Sequence, residues 1–97
     1  MIQSFRNHAT EDLFNGKASK VALKLIPRNL WNIVARKLDQ LDSLVSLNEL
    51  RVPPGNHLEA LRNDRQGQHS IRIIDQHWIC FICTESVPKD VEVRDYL

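Results

Sequence analysis

Residues 29–47 read NLWNIVARKLDQLDSLVSL, and this stretch carries the strongest structural signal in the chain. Its apolar side chains recur every three or four residues, as they do along one face of an α-helix. The stripe consists of Leu30, Val34, Leu38, Leu41 and Val45. Arg36 and Lys37 fall outside the stripe. The spacing therefore predicts a long helix that packs this stripe against the rest of the protein.

The residues before this helix predict shorter elements. Residues 2–5 alternate apolar and polar side chains and predict a short first strand. Thr10, followed by two acidic residues, is predicted to cap a brief helix that ends at Asn15-Gly16. A second helical tract starts near Ser19, and Pro27 interrupts it, either as a kink or in the first turn of the next helix.

The second half of the chain is patterned as strands. Pro53-Pro54-Gly55-Asn56 cannot continue a helix and marks the change. The predicted strands cover residues 58–61, 69–74, 78–84 and 91–96, with a turn at 87–90 before the last. Strands grouped after helices indicate a single α+β domain over residues 1–97, with two main helices on one face of a small, mostly antiparallel sheet.

Composition limits the classes of protein that fit. A chain of 97 residues, 42% of them hydrophobic, can form one compact core. It has no apolar run of the roughly 20 residues that span a bilayer, so we expect a cytoplasmic protein that does not bind a membrane. The net charge is only +1. Basic residues nevertheless cluster between Lys17 and Lys37 without an acidic residue, which fits either a phosphate-facing surface or a solvated helix face.

Cys80 and Cys83 form a C-x-x-C pair, which suggests a redox pair or half of a zinc site. Their apolar neighbours instead indicate a buried strand, in which residues three apart point to opposite faces. We therefore predict two reduced, buried thiols and no metal ion.

Four motifs, taken in order, resemble one known family. They are MIQSFR at 1–6, PGNHLEAL at 54–61, RQGQHSIRI at 65–73 and DY at 95–96. Together they are similar to the HigB-like branch of the RelE/ParE toxin superfamily. The resemblance implies two helices on a curved sheet, and a toxin that enters the ribosomal A site to cleave mRNA. It also implies a helix-turn-helix, HigA-like antitoxin, with operator DNA bound only through the toxin–antitoxin complex.

Such cleavage needs no metal or cofactor, because the RNA 2′-hydroxyl is the nucleophile. It needs a base, an acid and cations that stabilise the phosphorane. The resemblance assigns catalytic roles to Arg62, Asp95 and Tyr96. It assigns RNA contacts to Arg65, Arg72, His57 and His69. Arg62 stands where the family carries Lys, and a guanidinium grips phosphate well but exchanges protons poorly.

Two departures from the family pattern leave alternatives open. Leu97 stands where the family carries His, and Trp78 stands where it carries an Arg that stabilises charge. The loss of each group is expected to cost a factor of about 10² to 10³ in rate, unless His57, His69 or His77 supplies a proton. The hypotheses are therefore an active or attenuated mRNA-cleaving toxin, a silent member that binds its antitoxin, and a ParE-like gyrase inhibitor.

Overall fold

The computed structural model describes residues 1–74 and 76–95, and within them helices precede an antiparallel sheet, so the α+β prediction is confirmed. The helices are α1 (His8–Asn15), α2 (Lys20–Leu25) and α3 (Trp31–Asp42). The strands are β1 (Glu59–Ala60), β2 (Gln68–Ile74), β3 (His77–Thr84) and β4 (Val87–Asp95). Short 3₁₀ turns cover Arg28–Leu30, Leu47–Arg51, Pro54–Asn56 and Asn63–Arg65. The predicted end of the last strand, at Tyr96, lies outside the described residues.

The four strands lie in chain order, β1-β2-β3-β4, and each pairs antiparallel with the next. The N-terminal segment runs parallel to the outer edge of β4, where Phe5 forms an isolated bridge with Val91. The predicted strand at 2–5 is therefore wrong, because only this single bridge forms there.

Helix α1 begins earlier than Thr10, so the predicted cap is wrong. Asn7 caps the helix, and its side-chain oxygen accepts a hydrogen bond from the Thr10 N–H at 2.9 Å. Thr10 is instead fully buried, and its hydroxyl oxygen accepts from the Val93 N–H at 3.0 Å, which ties α1 to β4. Gly16, with φ +72°, ends the helix as predicted. Ser19 caps α2, so the second helix starts where the sequence predicts it.

The apolar stripe of α3 is confirmed in its central part. Val34, Leu38 and Leu41 are buried. Val45 is a wrong prediction: it is 76% exposed, because α3 ends at Asp42 and the chain leaves the helical path. Leu44 is buried in the turn that follows, so the core is filled without Val45.

Polar contacts fix α3 at its first residue and near its middle. Trp31 is buried, and its indole N–H donates to the Ile26 carbonyl at 2.8 Å. Arg36 is exposed as predicted, whereas Lys37 is half-buried and its ammonium donates to the side-chain oxygen of Asn56. Burial lowers the pKa of Lys37.

The core lies between the helices and one face of the sheet. Ile71, Ile79 and Val93 occupy neighbouring strands in register, and all three belong to the buried cluster that also contains Leu38. Strand alternation sends the intervening side chains to the other face. We call the face that carries Ile71, Ile79 and Val93 the helix-covered face, and the opposite face of the sheet the open face.

The turn between β3 and β4 lies two residues before the predicted one. Glu85 and Ser86 have φ values of +51° and +64°, the conformation of a two-residue hairpin turn, and β4 begins at Val87. Asp90, with φ +51°, lies where the register shifts between Lys89 and Glu92. The turn-forming residues at 87–90 thus belong to a strand with a β-bulge.

The two cysteines lie on opposite faces of β3, as predicted. Cys80 pairs with Ser70 and Glu92 on the open face, and Cys83 packs against the core. Both are free thiols. Cys80 is buried as predicted, whereas Cys83 is only half-buried because it lies near the end of β3, and this partial burial raises the pKa of its thiol. The described part of the chain holds no group of three or more His, Cys, Asp or Glu side chains arranged to bind a metal ion. Among residues 1–74 and 76–95, no helix has the length and apolar character to cross a membrane.

Candidate nucleic-acid interface

The open face carries a row of cationic and aromatic side chains. The strand register sets Arg72, Trp78 and Arg94 side by side across β2, β3 and β4. The guanidinium carbon of Arg72 lies 5.9 Å from the centre of the Trp78 ring. All three side chains are half-buried. An indole between two guanidiniums presents both a stacking surface and positive charge to a ligand on this face.

Arg65 reaches the same face from the 3₁₀ turn before β2. Its Nη1 donates to the Gln68 side-chain oxygen at 3.0 Å, and its Nη2 lies 3.5 Å from Glu92 Oε1 on β4. Since β3 lies between β2 and β4, the Arg65 side chain crosses β3. Cys80 on β3 is accordingly only 1% exposed.

A hollow adjoins Trp78 at the β1 edge of the open face. It measures about 380 Å³ and is lined by Glu59, Leu61, Ser70 and Trp78. A second hollow of about 560 Å³ shares Glu59 and Leu61, and also touches exposed Arg62. Arg62 therefore lies next to the open face, at its edge and away from Arg72.

Asp95 lies on the other side of the sheet from this row. It is the cross-strand partner of buried His77, and the carboxylate oxygen lies 3.9 Å from His77 Nε2. The side chain of Asp95 is 35% exposed, so solvent reaches this pair through the carboxylate. The structure thus separates Asp95 from Arg65 and Arg72.

The two histidines proposed as RNA contacts differ in their surroundings. His57 is exposed and follows the 3₁₀ turn at Pro54–Asn56 with φ +46°. His69 lies on the helix-covered face, where its ring stacks on Phe81 at 6.1 Å. Its Nδ1 is buried and finds no hydrogen-bond partner within the described ranges. The two remaining positions of interest, Tyr96 and Leu97, lie outside the described residues.

The sequence predictions missed Arg6, Glu92 and Arg94. For the two on β4 a signal was present, since Glu92 and Arg94 alternate with the buried residues Val91 and Val93. Arg6 reaches the open face through the parallel pairing of the N-terminal segment with β4. No local pattern signals that long-range contact.

Comparison with known proteins agrees with the fold and the motifs. A family model described as "RelE-like toxin of type II toxin-antitoxin system HigB" matches residues 3–97. An uncharacterized protein of Haemophilus influenzae is 43% identical over 56 residues, which are 58% of this chain and 55% of that protein. Toxin HigB-1 of Vibrio cholerae is 38% identical over 64 residues, 66% of this chain and 67% of the toxin.

The sheet, its helical layer and the family match over nearly the whole chain define the class of protein. The chain belongs to the HigB-like family of RelE-like toxins of type II toxin–antitoxin systems. The family resemblance seen in the four sequence motifs is therefore confirmed.

Proposed function

We propose that this chain is the toxin of a type II toxin–antitoxin pair and cleaves mRNA in the ribosomal A site. The observation that carries the proposal is the row of Arg72, Trp78 and Arg94 on a sheet face against which no helix of the described residues packs. A helix-free surface rich in guanidinium groups suits a polyanionic strand, because phosphate contacts supply most of the affinity for RNA.

In this proposal, different residues on and beside the open face have different roles. Arg65 and Arg72 hold phosphates of the mRNA, since one guanidinium group can donate two parallel hydrogen bonds to the oxygens of one phosphate. Trp78 and the hollow beside it receive an unstacked base, as aromatic side chains do in single-stranded RNA recognition. Arg62, at the edge of the hollow, stabilises the charge that develops on the phosphorane.

Proton transfer is assigned to Asp95 at the end of β4, and because its side chain lies on the face opposite Arg72, the proposal requires the mRNA to pass around the end of the sheet. The carboxylate and Tyr96 are the proposed catalytic pair, with the 2′-hydroxyl as nucleophile and the 5′-oxygen as leaving group. Of the three histidines that were candidates for a proton donor, His77 is the one next to Asp95, at 3.9 Å. His69 is the weaker candidate for an RNA contact, because its ring stacks on Phe81 on the helix-covered face, whereas His57 is exposed.

The partners follow from the same proposal. A HigA-like, helix-turn-helix antitoxin binds and neutralises the chain, and the complex, not the toxin alone, binds operator DNA. The active toxin engages the ribosome and the mRNA in its A site. The net charge of +1 fits a protein that relies on a local cationic face.

A silent family member that acts only by binding its antitoxin is the second candidate. Leu97 and Trp78 favour it, since both occupy positions where the family carries groups of the reaction. A ParE-like gyrase inhibitor is the third candidate, and the similarity of residues 62–72 and 95–96 to the ribonuclease branch weighs against it.

Primer extension on mRNA after induced expression distinguishes these candidates. The proposal predicts new 5′ ends inside reading frames within minutes, and their loss when translation initiation is blocked beforehand. Intact mRNA with growth arrest and DNA damage would favour gyrase inhibition. Intact mRNA with normal growth, from a protein verified as folded, would favour the silent member.

A further inference from the structure

Three guanidinium groups on the open face surround one carboxylate. Glu92 Oε1 lies 3.5 Å from Arg65 Nη2 and 4.0 Å from Arg6 Nε, and Oε2 lies 3.7 Å from Arg94 Nη1. The cations come from three separate parts of the chain: the N-terminal segment, the turn before β2, and β4. We call these four residues the Glu92 cluster.

The Glu92 cluster carries more positive than negative charge. Three guanidiniums against one carboxylate leave a net charge of +2, while the carboxylate side chain is only 14% exposed. Arg6 and Arg94 remain 52% and 35% exposed, so their donors face solvent more than Glu92 does. The cluster therefore presents positive charge to solvent, and this charge attracts an external anion.

The distances between Glu92 and the three arginines indicate the role of the Glu92 carboxylate. At 3.5 to 4.0 Å the ion pairs are loose, and solvent screens the pair with Arg6, whose side chain is 52% exposed. Three guanidiniums brought together without a counter-charge would repel one another. Glu92 therefore holds the three guanidiniums close together and leaves the cluster with a net positive charge.

We propose that Arg6, Arg65 and Arg94, gathered around Glu92, form a binding site for a phosphodiester of single-stranded RNA. The inference rests on the proposed function and adds Arg6 and Arg94 to the residues that hold RNA. The site continues the row of Arg72, Trp78 and Arg94, so one strand of RNA contacts both the indole and the cluster.

The test measures binding without cleavage. The probe is a short single-stranded RNA with 2′-O-methyl groups, which removes the nucleophile, and affinity is followed by fluorescence anisotropy at several salt concentrations. Each phosphate contact contributes about 0.7 to the slope of log K against log salt for single strands. Arg6→Gln and Arg94→Gln are each expected to weaken binding severalfold and to reduce the slope by about 0.7.

Arg36→Gln is the matched control, because it removes the same charge from the exposed side of α3. It is expected to leave the slope unchanged. Circular dichroism and thermal melting verify that each variant is folded. The inference would be overturned if Arg36→Gln changed the slope of log K against log salt while Arg6→Gln and Arg94→Gln did not. That result would assign RNA binding to the helices.

Two outcomes separate this inference from the proposed function. If the arginine variants lose phosphate contacts but the parent leaves mRNA intact on ribosomes, the site stands and the nuclease proposal fails. If the parent cleaves mRNA and the slope is unaffected by both substitutions, the site is wrong and the nuclease stands. Loss of antitoxin binding with an unchanged RNA slope would likewise contradict the site, and would make the cluster part of the antitoxin interface.

Discussion

The two faces of the sheet differ in what their side chains do. On the helix-covered face, Ile71, Ile79 and Val93 belong to one buried cluster with Leu38 of α3, and the contacts are those of a core. On the open face, the neighbouring positions carry Arg72, Trp78 and Arg94. One set of strands thus stabilises the domain with alternate residues and presents a ligand surface with the others. Substitutions on the helix-covered face should therefore change stability, and substitutions on the open face should change RNA binding or cleavage.

Truncation on the helix-covered face should have the largest effect. Leu38 is fully buried, and Leu38→Ala is expected to lower the free energy of unfolding by about 2–5 kcal/mol. Val45→Ala is the matched control. Val45 is 76% exposed, so this change should stay within about 0.5 kcal/mol. Urea denaturation of both variants gives the two values, and equal effects would contradict the assignment of the core.

Restoration of the family residue at position 97 should have the next largest effect. Leu97→His returns a proton-transfer group, which is expected to raise ribosome-dependent cleavage by about 10²-fold if that group limits the rate. The measurement is the initial rate of mRNA cleavage by the purified toxin. A parent that already cleaves as fast as Leu97→His would show that another group, such as His77, fills the role.

Trp78→Arg restores the residue of the family pattern, but we expect it also to destabilise the protein. Trp78 is half-buried between Arg72 and Arg94, so a third guanidinium there would lie among like charges. We expect the double variant Leu97→His, Trp78→Arg to melt at a lower temperature than Leu97→His alone. An unchanged melting temperature would show that the open face accommodates the added charge.

Loss of one buried hydrogen bond should have a smaller effect. Thr10→Val keeps the shape of the side chain but removes the acceptor for the Val93 N–H, which is then buried without a partner. The expected cost is about 1–3 kcal/mol. Amide hydrogen exchange at Val93 should become faster than in the parent, and unchanged protection would show that the hydroxyl is dispensable.

Thiol reactivity should show the smallest effect. Burial raises the pKa of Cys83, so less thiolate is present near pH 8 than for an ordinary cysteine. Alkylation of the folded protein should be slow, and its rate should still be rising at pH values where an unperturbed thiol has levelled off. In Cys80→Ser the Cys83 rate is isolated, and a rate profile with its midpoint at the ordinary thiol pKa would contradict the assignment.

The fold could be predicted from periodicity, but several boundaries could not. Val34, Leu38 and Leu41 were identified because a helix repeats its buried face every three to four residues. Val45 continues that spacing in the sequence, yet the helix stops at Asp42. Thr10 has the chemistry of a cap, but Asn7 supplies the cap and leaves the Thr10 hydroxyl for Val93. Both errors arise from tertiary contacts that local patterns do not encode.

The site was predictable only in part, for a related reason. Arg65 and Arg72 were identified through the family motif, and the structure puts both on the open face. His69 lies in the same motif, but strand alternation turns it toward Phe81. Arg6 joins the cluster through a pairing across more than eighty residues of chain. Motifs identify residue types, whereas the register of the sheet decides which of them share a face.

The most direct test of the central claim compares matched charge removals on the two sides of the molecule. Translation-dependent mRNA cleavage would be measured for the parent, Arg72→Gln on the open face and Arg36→Gln on the exposed side of α3, all verified as folded. The account predicts that Arg72→Gln lowers the cleavage rate by about 10- to 10²-fold, the cost of losing a charge-assisted hydrogen bond to phosphate, and that Arg36→Gln cleaves like the parent. Normal cleavage by Arg72→Gln together with impaired cleavage by Arg36→Gln would contradict the assignment of the open face as the RNA-binding surface.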